Sequence, residues 1–192
     1  MANRNKKTVL FEDVLRDLLA WFQESPGEFL IIGGIAVSLL ARPRTTQDID
    51  VLSLLDESRW QDFLRAGKKF GFLARIEDVL GFAEKNRVLL LRHANSGVNL
   101  DISFGYLPFE KESMQRKAFH KVGGMRIPLP TPEDLIIMKM IAHRPQDMID
   151  VQTILKTYPK IDRKRIQKWV KQFSNVLENP DILSDLKKLL KA

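Results

Sequence analysis

The sequence predicts an α+β fold, a core of one short mixed β-sheet backed by helices, with a helical region at its C-terminal end. Three observations predict it. Strand-like runs fall within about the first 130 of the 192 residues, helical periodicity precedes and interrupts them, and after Pro130 only helical patterns remain. The chain is therefore expected to divide into an α+β core over residues 1–130 and a helical region over residues 131–192 packed on that core.

The elements follow in order. Leu10, Val14, Leu15, Leu18, Leu19 and Phe22 recur at helical spacing, so residues 10–24 read as an amphipathic helix ended by Ser25-Pro26-Gly27. Residues 29–32 are an apolar run too short for a helix, followed by Gly33-Gly34 and a helical stretch over residues 35–41. Residues 48–52 alternate polar and apolar before turning apolar, which marks a strand with one wet face at its start. A helix is expected over residues 57–70, with Trp60, Phe63 and Leu64 facing inward and Gly67 and Gly71 weakening its end. Residues 88–91 and 98–104 read as strands joined by an Asn-Ser-Gly turn, and residues 121–122 and 125–127 as a second short pair around Gly123-Gly124. Thr131-Pro132-Glu133-Asp134 carries a hydroxyl cap, a first-turn proline and first-turn acids, so it opens a helix to about His143. Three more helices are expected over residues 146–158, 162–177 and 181–191.

Composition narrows the chemistry. No cysteine is present, which removes disulfides, thiolate nucleophiles and cysteine-ligated zinc. His93, His120 and His143 show no zinc-binding spacing and read as surface or packing residues. No apolar run reaches the roughly 18 residues that a bilayer crossing needs, and residues 1–7 are polar and basic, so no membrane association and a cytoplasmic location are expected. The net charge of +7 is concentrated in the C-terminal part, including Lys164, Arg165 and Lys168, where it would attract a polyanion or simply form a solvated helix face.

One constellation carries chemistry. Gly33 and Gly34, between a strand and a helix, let backbone N–H groups approach a phosphate at a helix N-terminus. Asp48 and Asp50, two apart on a strand, project from one face and suit two oxygen-preferring cations, and Asp101 on another strand would complete the set. A pair of magnesium ions so held stabilises both the attacking oxygen and the leaving pyrophosphate of an in-line displacement. Lys139 is the lone charge in the apolar run of residues 135–142, so it must reach water or meet an anion, and a triphosphate would supply one. Arg144 and Asp147, on either side of Pro145, suit a helix end followed by a helix start, where the two dipoles favour their charges.

These residues resemble the polymerase-beta-type nucleotidyltransferase superfamily, whose core reads apolar-Gly-[Gly/Ser], a spacer, Asp-apolar-Asp and a later acidic strand residue. Gly33-Gly34-Ile35-Ala36 with Arg44-Thr45 and Asp48-Ile49-Asp50 is most similar to the branch containing the AbiEii-type toxins, and Leu135, Lys139, Arg144, Asp147 and Asp150 fit that branch's later helical motif. The resemblance implies catalytic and metal-binding duty for Asp48, Asp50 and Asp101, the last as base or metal ligand. It further implies nucleotide contacts from Gly33, Gly34, Arg44, Thr45 and Lys139. Gly34 stands where many members have Ser, which shifts the phosphate grip towards Arg44 or Lys139. The implied cofactor is Mg2+, two ions, with Mn2+ as an alternative. The implied reaction moves a nucleoside monophosphate from an NTP, ATP among the candidates, to an acceptor hydroxyl on RNA such as tRNA or on protein, with an antitoxin as possible partner. Two other readings stay open: transfer onto a small molecule such as an antibiotic, and a non-catalytic nucleotide- or RNA-binding module of a toxin–antitoxin pair.

Overall fold

In the computed structural model, which describes residues 3–25 and 27–191, five strands form a mixed sheet in the order β1-β2-β5-β4-β3. They are β1 (Glu28–Ile32), β2 (Asp48–Leu54), β3 (Phe72–Ala74), β4 (Val88–His93) and β5 (Asn99–Phe104). β2 and β5 run parallel, and every other pair is antiparallel. Pro26, part of the expected breaker, lies outside the described residues, as does the side chain of Leu10.

Alternation along the strands separates two faces. Ile31, Ile49, Val51, Leu89, Leu91, Leu100 and Ile102 are fully buried and fill one of them. Against that face α1 (Asn3–Glu24) brings Trp21 and Phe22, whose rings stack on Phe63 of α3 (Trp60–Gly67), on Phe72 and on Phe29. The other face carries Asp48, Asp50 and Leu52 on β2, with Asn99, Asp101 and Ser103 beside them on β5. Leu30 and Leu52 are covered there by Met114 of α5 (Pro108–Gln115), with Met138 of α6 (Pro132–Ala142) packed alongside. That half of the face is dry. The half bearing the aspartates is not roofed by this cluster.

The chain continues from β1 directly into α2 (Gly33–Leu40), so both glycines belong to the first helical turn rather than to a separate loop. The helix expected over residues 57–70 is α3 flanked by two single 3-10 turns, Glu57–Arg59 and Lys68–Phe70, because Gly71 at φ +80° ends it. β3, α4 (Val79–Asn86) and α5 were not expected. β3 has three residues, and α4 and α5 have eight each, too short to show periodicity. Only their caps speak for them: Asp78 accepts from the Gly81 N–H, and Glu110 accepts from the N–H groups of Tyr106 and Leu107. β6 (Ala118–Val122) and β7 (Met125–Leu129) form the separate hairpin.

Four helices follow: α6, α7 (Pro145–Thr157), α8 (Arg163–Val176) and α9 (Pro180–Leu189). Thr131 caps α6 by accepting from the Asp134 N–H, as the sequence predicts. The core runs without interruption from Val14 through Ile102 to Leu135, Val151, Ile166 and Leu186, so both sides of residue 130 share it. Asp134 is fully enclosed and binds Arg116 at 3.3 Å and Arg165 at 2.8 Å, and Arg165 also reaches Glu112 at 2.8 Å. This corrects the reading of Arg165 as a solvent-facing cation: it ties α8 to α5 and α6. No described helix is long and apolar enough to cross a membrane.

Gly67 shows how tightly the core is fitted. A Cβ there would lie 2.6 Å from the Trp21 ring, which is itself fully buried and stacked 4.2 Å from Phe63. Gly67→Ala would gain up to about 1 kcal/mol in helix propensity but meet an overpacking cost of about 1–3 kcal/mol. We expect net destabilisation, read as a lower urea midpoint with an unchanged slope.

Candidate active site

Parallel pairing sets Asp50 directly opposite Asp101 and Asp48 opposite Asn99, so all three aspartates share one face of the sheet. Burial pushes the Asp50 carboxyl above its ordinary value, and Asp48 adds to this, while Lys139, Arg144 and the Gly34 N–H pull the other way. Asp101 is raised chiefly by burial, opposed by Arg75 and reinforced by Asp50 and Asp48. The site thus concentrates negative charge in a partly dry place. Such charge is what a cation relieves.

The three carboxylates do not form a ready-made cage: among the described residues no three acidic or histidine side chains are gathered closely enough to hold one ion. Two of the carboxylates are held by neighbouring side chains. Arg75 Nη2 donates to Asp101 Oδ1 at 2.8 Å, and Asn99 Nδ2 donates to Asp48 Oδ1 at 3.0 Å. Neither partner is apparent in the sequence. Arg75 follows the three-residue strand β3, and Asn99 lies in the strand expected over residues 98–104, where nothing in the sequence pairs it with Asp48.

The glycine turn lies against this cluster. Gly33 has φ +64°, and a Cβ on it would fall onto the Asp50 carboxylate, so only glycine fits by both criteria. At Gly34 a Cβ would lie 2.8 Å from Arg44 Nη2 and from Thr46 Oγ1, so the loop before β2 folds over the start of α2. The sequence predicts these backbone N–H groups as a phosphate cradle, and in the structure the Gly34 N–H meets Asp50 first. The hydroxyl beside the turn belongs to Thr46, which donates to the Asp48 carbonyl at 3.1 Å. Thr45, the residue singled out from sequence, is exposed and lines a cavity of about 620 Å³ with Ile35, Ser38 and Val98, to which none of the three aspartates contributes.

Lys139 is 4% exposed, and its Nζ lies 2.8 Å from Asp147 Oδ1 and 2.9 Å from Asp150 Oδ2. The anion expected for it as a triphosphate is therefore supplied by the chain itself, from α7. Arg144 Nε donates to Asp147 Oδ2 at 2.6 Å and Arg44 Nε approaches Asp150 Oδ1 at 3.4 Å, so two buried acids are shared by three cations. The approaches of Lys139 and Arg44 to Asp150 are Coulombic rather than aligned hydrogen bonds, since Asp150 Oδ2 and Arg44 Nε lack one. Despite its burial, Asp147 is held below its ordinary value by Arg144 and Lys139. Asp147 also accepts from the Arg144 N–H at 3.3 Å, so the expected capping role at Pro145 is present together with the ion pairs. The surplus positive charge of this network faces Asp50, whose carboxylate both Lys139 and Arg144 stabilise.

With this geometry, a sheet face bearing paired aspartates beside a glycine-opened helix, the comparisons are direct. The antibiotic-resistance factor ANT(2'')-Ia, in its solution structure, shares 14% identity at a TM-score of 0.61, over 91% of this chain and 95% of that one. The lincomycin-bound crystal structure of the lincosamide antibiotic adenylyltransferase LnuA matches at 15% identity and a TM-score of 0.53, over 76% of this chain and 97% of that one. An antigenic nucleotidyltransferase-like protein from Paracoccidioides brasiliensis matches at 19% identity and a TM-score of 0.53, over 94% of this chain and 91% of that one. These likenesses establish the nucleotidyltransferase fold. No curated protein matches the chain. The family described as "Nucleotidyl transferase AbiEii toxin, Type IV TA system" matches over residues 14–191, nearly the whole described chain, and the protein therefore belongs to the AbiEii family of nucleotidyltransferases.

Proposed function

We propose that the protein transfers a nucleoside monophosphate from an NTP to an acceptor hydroxyl on RNA or protein, in a divalent-metal-dependent reaction at the Asp48, Asp50 and Asp101 face. The observation that carries this reading is the register pairing of Asp50 with Asp101 beside the Gly33-Gly34 turn. The donor set is all carboxylate oxygen, which suits Mg2+ or Mn2+, and Asp50 is charged at a cost that a cation would remove. Asp48 and Asp50 would hold the metal, joined by Asp101 once it leaves Arg75. When bound, a metal at such a site supplies charge stabilisation for the attacking and leaving oxygens.

The rest falls to the chain. Gly33 and Gly34 would present backbone N–H groups to the phosphates at the start of α2, and Arg44, packed beside Gly34, would add a guanidinium there. Lys139 and Arg144 would favour the ionised form of Asp50 and add positive potential where the triphosphate lies. Asp101, with its raised carboxyl, receives the acceptor proton as the hydroxyl oxygen forms its bond to the α-phosphorus and the bond to pyrophosphate breaks. As an AbiEii family member, the protein would act as the toxin of a pair, with an antitoxin as its partner.

Incubation of the protein with each α-labelled NTP, total cellular RNA and total protein, with Mg2+ or with EDTA, tests the reading. Label should enter RNA or protein only with metal; label on an added aminoglycoside or lincosamide alone would favour the small-molecule alternative. Asp50→Asn should abolish labelling. Because the folded state raises the Asp50 pKa above 3.8, its ionisation lowers stability as pH rises through the shifted value. Metal-free Asp50→Asn should therefore melt at or above wild type at pH 7, and the difference should close as pH falls towards 3.8.

Lys139 gives a separate prediction. Lys139→Met leaves Asp147 and Asp150 buried with less compensation, and breaking a buried pair in this way costs about 3–5 kcal/mol. Urea unfolding should register that loss with no NTP present.

A further inference from the structure

Two arginines outside the constellation just described stand on the same face of the sheet. The Arg75 N–H donates to the Leu90 carbonyl at 3.0 Å, which puts Arg75 level with Leu90, and Leu90 is paired with Asp101. One row across the sheet therefore reads Ile32, Asp50, Asp101, Leu90, Arg75. The neighbouring row reads Asp48, Asn99, Arg92, Leu73. Arg75 reaches back over Leu90 to Asp101 at 2.8 Å, and Arg92 donates to Asn99 Oδ1 at 3.1 Å. Between the two arginines lies a hollow of about 220 Å³, lined also by Leu73, Ala74 and Ala94 and by no acidic residue.

The position of this hollow is informative. Gly33, Gly34 and Arg44 lie on the β1 and α2 side of Asp50, whereas Arg75 and Arg92 lie on the opposite side, beyond Asp101. In an in-line displacement the leaving group and the attacking oxygen stand on opposite sides of the phosphorus. A pyrophosphate leaving towards the glycine turn therefore puts the acceptor on the arginine side. Guanidinium groups present planar forks of donors that match a phosphate, and two of them flanking one hollow suit a single anionic group. Arg75 has a further role, because while it donates to Asp101 Oδ1 that oxygen is not free to take the acceptor proton.

We propose that Arg75 and Arg92 form the seat for a backbone phosphate of a polynucleotide acceptor, and that this phosphate draws Arg75 away from Asp101. The inference rests on the nucleotidyl-transfer reading of the aspartate face and adds to it two acceptor-positioning residues and a phosphodiester acceptor. The acceptor's own phosphate frees the group that deprotonates it. Transfer to water in the absence of acceptor is held back by the same contact.

The test uses the full chain and a fluorescein-labelled single-stranded RNA 12-mer with a free 3′ hydroxyl, whose binding is followed by anisotropy across a salt series. Relative to wild type, R75Q/R92Q should bind at least about tenfold more weakly, as expected for lost charge-assisted hydrogen bonds. The slope of log affinity against log salt should fall by about 0.7, the change for one phosphate charge no longer neutralised on a single strand. R75K/R92K, which keeps charge but loses the fork, should retain the slope and recover only part of the affinity. The Mg2+-dependent thermal shift by NTP should persist in all three proteins and be no smaller in R75Q/R92Q than in wild type, since losing Arg75 releases Asp101 to the metal. Wild-type affinity and slope in R75Q/R92Q overturn the proposal, as does a wild type that fails to bind RNA at low salt, the result expected for a protein acceptor. A wild type without a metal-dependent NTP shift would instead overturn the transfer reading, and the anisotropy arm would still decide the phosphate seat.

Discussion

β2 and β5 must lie side by side in parallel, and that pairing governs the site. It requires the chain to leave β2, pass through α3, β3, α4 and β4, and return to begin β5 level with the start of β2. Side chains alternate across a strand, so a slip of one residue would turn Asp101 into the apolar core and expose Leu100 and Ile102. Both are fully buried, and removing each from water is worth about 1.5–3 kcal/mol, so the core face holds the register on behalf of the polar face. The placement of Asp50 opposite Asp101 is a by-product of hydrophobic packing on the far side of the sheet.

That placement creates an electrostatic problem, which the helical half resolves. Burial raises the pKa of both Asp50 and Asp101, Asp48 adds to it at Asp50, and Asp50 and Asp48 add to it at Asp101. Lys139 and Arg144, on either side of the α6–α7 junction, counter this at Asp50, and Arg75 counters it at Asp101. Lys139 can remain charged while buried because Asp147 and Asp150 on α7 enclose it. The sheet thus presents the acids and the helices supply cations close to Asp50. Since one core is shared across residue 130, the two halves of the chemistry are held in a fixed relation.

Much of this was legible in the sequence, and the gaps have physical causes. The Gly33-Gly34 element, the Asp48-Ile49-Asp50 alternation and the Thr131 cap are local patterns, and the structure forms each where its period or cap chemistry puts it. The need of Lys139 for an anion was legible too, from an apolar helix carrying one charge. The identity of that anion was not, because Asp147 reads as well as a first-turn acid of the next helix and nothing local points Asp150 at Lys139. Arg75 escaped notice because β3 is three residues long and its pairing with β4 is non-local. Thr45 rather than Thr46 was singled out because no period in the loop before β2 says which hydroxyl turns back over Gly34.

The enclosure of Asp134 bears on how the protein can be studied. Its two guanidinium partners bind it where mobile ions do not enter, and screening acts on exposed charges far more than on buried ones. Raising ionic strength should therefore weaken whatever surface cations such as Lys164 and Lys168 attract while leaving the joint between α5, α6 and α8 intact. A salt titration on this protein then measures association, free of a melting background.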